Sequence, residues 1–203
     1  MTTQRLKLGF LASNNGSSFR AIVAAIEAGA LNAEARLIVS NRRESPALAF
    51  AAEHGVAARA IPTVSDPQGA DAALAAALRD AGVELVVLSG YLRKLGPTTL
   101  AAYANRVLNI HPALLPRFGG QGMYGRRVHE AVLAAGEAST GASVHLVDGE
   151  YDHGAVLAQV EVPVRPGDTA ADIEARVTQA EPGLFVETLQ SVVAGTLTLP
   201  GAN

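Results

Sequence analysis

An α/β fold is predicted, with a mostly parallel sheet flanked by helices and an antiparallel strand pair near the C-terminus. Three observations predict it. Short apolar runs alternate with amphipathic stretches through the first two thirds of the chain, as they do when helices cover both faces of a parallel sheet. The last third changes character: TGASVHLV and AVLAQVEV are longer strand-like runs joined by the turn DGEYDHG. The chain has 203 residues, 49% apolar and 17% charged, which suits a single unit with a well-covered core.

LKLGFLA (6–12) reads as a buried strand. In SFRAIVAAIEAG, Phe19, Ile22, Val23 and Ile26 recur at i, i+3, i+4 and i+7. That is one face of a helix, and Gly29 is placed to end it. ARLIVS (35–40) is a second strand. Pro46 opens the helix SPALAFAAEHG, which Gly55 closes. GADAALAAALRDAG (69–82) is a third helix. ELVVLSG (84–90) and RVLNI (106–110) are buried strands, and Arg126 begins another helix. The last helix starts near Thr169, where Asp172 three residues on completes a capping box. Pro182-Gly183 is expected to kink or interrupt it.

Bulk properties exclude several classes. There is no cysteine, hence no disulfide and no thiolate chemistry. No run of about 18 apolar residues indicates a membrane span. The start, MTTQRLKLGF, is too short in apolar residues to read as a signal peptide, so a cytoplasmic setting is expected. Net charge is −3 with Lys and Arg scattered, so no nucleic-acid surface is indicated.

In open α/β sheets, ligands bind outside the carboxyl ends of the strands. Polar clusters fall there at 13–18, 89–95 and 109–125, with the turn 148–153 as a fourth. SNNGSS comes after the first strand and opens the first helix. It reads either as a turn and helix cap or as an anion site built from free amides. It matches neither a dinucleotide nor a Walker motif. Asn109 and His111 stand two apart, so in an extended segment they share a face. Asn offers an amide donor, and His can donate or move a proton near neutral pH; an ordinary strand end would carry the same pair. Pro112 and Pro116 stiffen the chain immediately beyond the pair. Asp148, Glu150 and Asp152 crowd the 148–153 turn, beside His145 and His153, but their spacing matches no strong metal motif, and no metal is expected. Ser143, His145 and Val147 share a strand face, with His145 as a hydrogen-bonded support. The glycines at 119, 120, 122 and 125 leave the backbone of 117–127 loosely specified, so this loop is expected to move.

Taken together, NIHPALLP followed by GGQGMYGRRVHEAV, then SGYLRKLGP, GASVHLVDGEYDHG and VPVRPGDT, resemble the glycinamide ribonucleotide formyltransferases of the folate-dependent formyltransferase family. The resemblance covers nearly the whole chain. It implies a Rossmann-like formyltransferase fold over 1–203, with a nucleotide- and phosphate-binding half (1–100) and a catalytic and folate-binding half (101–203). It implies transfer of a formyl group from 10-formyltetrahydrofolate to the amine of glycinamide ribonucleotide, a step of purine synthesis, with no metal required. The family's catalytic residues fall on Asn109, His111 and Asp152. Its phosphate and ribonucleotide contacts fall on Asn15, Gly16, Ser17, Ser18 and Glu181. Its folate contacts fall on Leu92, Arg93, Lys94, Leu95, Val147 and Asp148, and Ser143 and His145 support the site. A monomer or homodimer is expected.

Departures are local. A common pattern in the first loop is S-G-x-G-S-N, and here Ser18 stands in the last place. Pro182 succeeds Glu181 where relatives often carry His. The 62–72 segment lacks the aromatic and Arg often found there. Related formyl-folate hydrolases usually carry an extra N-terminal domain, and methionyl-tRNA formyltransferases a C-terminal RNA-contacting one. A non-catalytic nucleotide-binding module on the same fold is the reading from a different class.

Overall fold

Gly9 shows how tightly the first strand is held. A Cβ there would stand 2.8 Å from side-chain atoms of Leu78 and Val83, so only glycine lets the neighbouring helix settle on the strand. That strand, β1 (Leu6–Leu11), lies inside a seven-stranded sheet with β2 (Ala33–Ser40), β3 (Ala57–Ala60), β4 (Leu85–Leu88), β5 (Val107–His111), β6 (Ser139–Leu146) and β7 (Val156–Pro163). The strand order is β3-β2-β1-β4-β5-β6-β7. The first five strands run parallel, and β6 is antiparallel to both β5 and β7. The computed structural model describes residues 5–201. The signal-peptide reading of the first residues rests partly on 1–4, outside the described residues.

Strand alternation divides the core in two. Leu8, Phe10, Ile38, Leu85, Val87 and Leu108 point to one side. There they meet α1 (Ser17–Glu27), α2 (Pro46–Glu53) and α6 (Ala170–Val193), with Phe19, Ile22, Ala47, Ile173 and Phe185 in the contact. Leu11, Leu37, Val39, Val86, Leu88 and Val107 point the other way. They are covered by α3 (Pro67–Asp80) and α4 (Pro97–Ala102) through Leu74, Ala77, Leu78 and Leu100. The remaining helix, α5 (Arg126–Ala134), packs on α6.

Two elements escape prediction from the sequence. AARA forms β3, all four residues exposed; an edge strand made by pairing with β2 carries no apolar pattern. The six residues of α4 are too few to show a period. Pro97 starts this helix, and its free amides at Thr98 and Thr99 are capped by Asp71 from α3, at 2.8 and 3.1 Å.

The expected break at Pro182 does not occur, since α6 runs unbroken over 24 residues with Pro182 inside. Proline removes one helix hydrogen bond and crowds the preceding turn. Ile173 and Val177 are buried before it, and Leu184, Phe185 and Leu189 after it. Both halves are therefore anchored to the same core, which keeps the helix continuous through the defect.

Candidate active site

β1 and β4 are neighbours, but the chain visits β2 and β3 between them. The crevice at their carboxyl ends is the topological switch point of the sheet, where such folds bind ligands. The loops leaving the two strands are stitched together by Ser13. Its amide donates to the Gly90 carbonyl at 3.1 Å, and its hydroxyl accepts the Leu92 amide at 2.8 Å and donates to Asn41 Oδ1 at 2.6 Å.

Gly16 caps α1 at φ 65°, in the left-handed region that favours glycine. The amide of Phe19 is taken by Ser89 Oγ at 3.0 Å and that of Arg20 by the Gly16 carbonyl. Among the described residues no acceptor meets the amides of Ser17 and Ser18. Two free amides at a helix start suit an anion. Ser18 is 1% exposed, so of the two hydroxyls only Ser17's stands at the surface. Asn15 is exposed too, and its carbonyl accepts from Arg20 Nε at 2.9 Å.

Next along the sheet, β5 presents Asn109 and His111 on one face, continuing the row of Val107. Pairing with β6 sets Asn109 opposite His145 and His111 opposite Ser143. The 148–153 turn brings Asp152 onto the same group. His145 Nδ1 lies 2.8 Å from the Leu146 carbonyl, which only accepts, so this nitrogen carries the proton. In the neutral ring Nε2 therefore accepts, and Asn109 Nδ2 donates to it across 3.1 Å. That bond points the amino end of the Asn109 amide toward His145, and among the described residues no acceptor takes its second hydrogen.

The same logic fixes His111. Its Nε2 is 2.8 Å from the Phe118 carbonyl and donates to it. Nδ1 faces Asp152 Oδ2 at 3.3 Å, and the Gly120 amide donates to that oxygen at 3.0 Å. Asp152 Oδ1 stands 3.5 Å from His145 Nε2. Phe118 and Asp152 both sit at positive φ, 57° and 55°, conformations that cost energy in non-glycine residues and that cluster at functional sites.

Burial holds the His111 ring below its ordinary value, while Asp152 and the Phe118 carbonyl pull the other way. The pull of Asp152 toward the imidazolium is thus present but outweighed by burial. Burial acts to raise Asp152, yet contacts with His145, His111 and the Gly120 amide win, and its carboxyl lies below the usual range.

The remaining expected residues lie on several different elements. Ser143 is fully buried and holds the segment after His111 through Ala113 and Leu115. Arg93, Lys94 and Leu95 line a cleft of about 560 Å³ with Ile61, Asp71 and Tyr91. Val147 packs on the hydrophobic cluster that includes Leu95 and Tyr91. Lys94 lies 5.5 Å from the Tyr151 ring, bridging the β4 loop and the 148–153 turn. Asn109, His111 and Asp152 do not line that cleft, which lies beside the β4 loop without including the polar cluster. Leu92 is 61% exposed. Asp148 is exposed and pairs with His153 at 3.0 Å. Glu181, on α6, is pushed up to about 7 by burial. Among the described residues no three His, Cys, Asp or Glu side chains gather to hold a metal.

Ser13 and Ser89 fall within the polar clusters of the sequence without being singled out there, and neither Phe118 nor the bonding role of Gly120 is marked by it. Two serines ending neighbouring strands are a readable signal. The roles of the Phe118 carbonyl and Gly120 amide belong to the backbone and carry none.

The formyl transferase family model matches residues 6–189. A chloroplastic phosphoribosylglycinamide formyltransferase of Vigna unguiculata is 38% identical over 95% of this chain, which spans only 62% of that relative's length. The phosphoribosylglycinamide formyltransferase of Escherichia coli is 36% identical over 86% of this chain and 81% of its own. A crystal structure of glycinamide ribonucleotide transformylase 1 from Symbiobacterium toebii superposes with a TM-score of 0.88 at 32% identity. The match covers 98% of this chain and 92% of that one.

Proposed function

The chain belongs to the formyl transferase family, and from that premise we propose that it transfers the formyl group of 10-formyltetrahydrofolate to the amine of glycinamide ribonucleotide. The products are formylglycinamide ribonucleotide and tetrahydrofolate. The observation that carries the reading is the cluster at the end of β5, in which Asp152 meets both His111 and His145 and Asn109 joins through its bond to His145.

The amine attacks the formyl carbon, the carbonyl becomes an oxyanion, and the folate nitrogen leaves with a proton. A neutral amine needs no protein nucleophile, so a chain without cysteine loses nothing. Asn109 uses one amide hydrogen on His145; its second meets the oxyanion. Removing such a donor typically costs about 10²–10³ in rate. Asp152 and His111 Nδ1 hold the proton that the amine gives up and return it to the leaving nitrogen. Ribonucleotide phosphate lies on the Gly16, Ser17 and Ser18 start of α1 beside Asn15, and Glu181 contacts the same substrate. The folate side is the wall of Leu92, Arg93, Lys94 and Leu95 facing Val147 and Asp148.

Among the described residues no helix is long and apolar enough to cross a membrane. A cytoplasmic setting and a monomeric or homodimeric form belong to the same proposal. Cell fractionation and sedimentation test them.

The deciding experiment tracks products with and without glycinamide ribonucleotide, using wild type and Asp152→Asn. Formylated ribonucleotide from wild type, and a rate lower by about 10²–10⁴ in the variant, is expected for a positioned acid–base group. Formate released equally with or without the ribonucleotide would show that water is the acceptor and overturn the assignment. A variant within about twofold of wild type would remove Asp152 from the chemistry.

A further inference from the structure

We propose that Gln159 is a positioning residue for formyl transfer, acting through the backbone that holds His111. The inference rests on the reading of His111 as part of the reacting site. Strand register supplies its first support. His111 on β5 pairs with Ser143 on β6, and Ser143 pairs with Gln159 on β7, so the three form one row across the sheet.

The Ser143 hydroxyl in the middle of that row uses its donor and both lone pairs. Ser143 Oγ donates to the Ala113 carbonyl at 2.6 Å and accepts from the Leu115 amide at 3.0 Å. Its remaining lone pair takes Gln159 Nε2 at 2.8 Å, and the same nitrogen donates to the Leu115 carbonyl at 3.0 Å. Both amide hydrogens are thereby spent. Residues 113–115 are held at three backbone atoms immediately beyond His111. Three residues further on, the Phe118 carbonyl takes the His111 Nε2 proton at 2.8 Å. That bond decides which nitrogen faces Asp152.

Serine alone cannot fix the Leu115 carbonyl, because its single proton is already given to Ala113. Gln159 supplies that restraint from an exposed position on the edge strand, where substitution away from the core seldom unfolds a domain. A misplacement of about 1 Å at a reacting group can cost about 100-fold in rate, so a loosened 113–118 segment is read directly in turnover.

The test uses Gln159→Met, which keeps length and loses both donors, and Gln159→Glu, which places an acceptor against the Leu115 carbonyl. Both are assayed for formyl transfer to glycinamide ribonucleotide, and the ring nitrogens of His111 are monitored by nitrogen-15 NMR. The expected result is a kcat lower by about tenfold or more. It comes with a KM for the ribonucleotide changed by less than about twofold, and with His111 shifted away from the single Nε2–H form. A kcat within about twofold of wild type overturns the proposal, and so does a kcat loss with unchanged His111 nitrogens, because the effect would then not pass through that ring. Absence of any transfer by wild type would instead remove the functional reading, while the NMR comparison would still decide the coupling of Gln159 to His111.

Discussion

Glu181 offers the sharpest quantitative check on the structure. Its carboxyl is half-buried on α6, and burial raises it from 4.5 to about 7. Each tenfold difference in proton affinity is about 1.4 kcal/mol, so ionising this group in the folded chain costs on the order of 3 kcal/mol more than in the unfolded chain. The sign comes from linkage. Between the two values the unfolded state has released the proton and the folded state has kept it. Stability contributed by the neutral group is therefore complete below the unfolded value, falls as pH rises, and is lost above about 7. Glu181→Gln stays neutral throughout. The variant and wild type should match near pH 4.5 and diverge upward, the variant being the more stable by about 3 kcal/mol at pH 8. Urea unfolding at a series of pH values measures this, with midpoints compared at constant slope. A stability difference that does not change between pH 5 and pH 8 would refute the raising of this carboxyl by burial. If Glu181 also contacts the ribonucleotide, the same variant should raise the KM for that substrate and leave the KM for folate nearly unchanged.

Other expectations concern the helix and the loops. Pro182→Ala restores an amide inside α6, and since an interior proline costs about 3 kcal/mol or more, thermal unfolding should shift upward; a lower midpoint would show that the proline fits its site without strain. Ser17→Ala should raise the KM for ribonucleotide more than that for folate, and equal effects would sink the phosphate assignment. In loop 117–127 hydrogen exchange should be fast at Gly122 and slower at Gly120, whose amide is bonded to Asp152; protection of the whole loop equal to that of β1 would rule out a mobile lid.

Much of the fold and the site is legible in the residues. The spacing of Phe19, Ile22, Val23 and Ile26 locates α1, and the capping box at Thr169 and Asp172 locates the start of α6, with both of its hydrogen bonds formed. Asn109 and His111 are placed on one face by the two-residue period of a strand alone. Local rules suffice wherever a property repeats along the chain or is completed within four residues.

They fail where the deciding partner is distant. Pro182 locally disfavours the helix that Phe185 and Val177 keep continuous by their burial in the core. The six-residue α4 exists because Asp71, on the preceding helix α3, caps its free amides. His111 carries its proton on Nε2 because a carbonyl seven residues on faces that nitrogen, and Asn109 is oriented by His145 across the sheet. The alternating pattern of apolar runs specified the α/β class and the parallel first part of the sheet, since those depend on hydrophobic period and turn chemistry. Proton positions, side-chain aim and the row from His111 to Gln159 were set only when β5, β6 and β7 paired, because a hydrogen bond is satisfied by proximity in space and leaves no periodic trace in the chain.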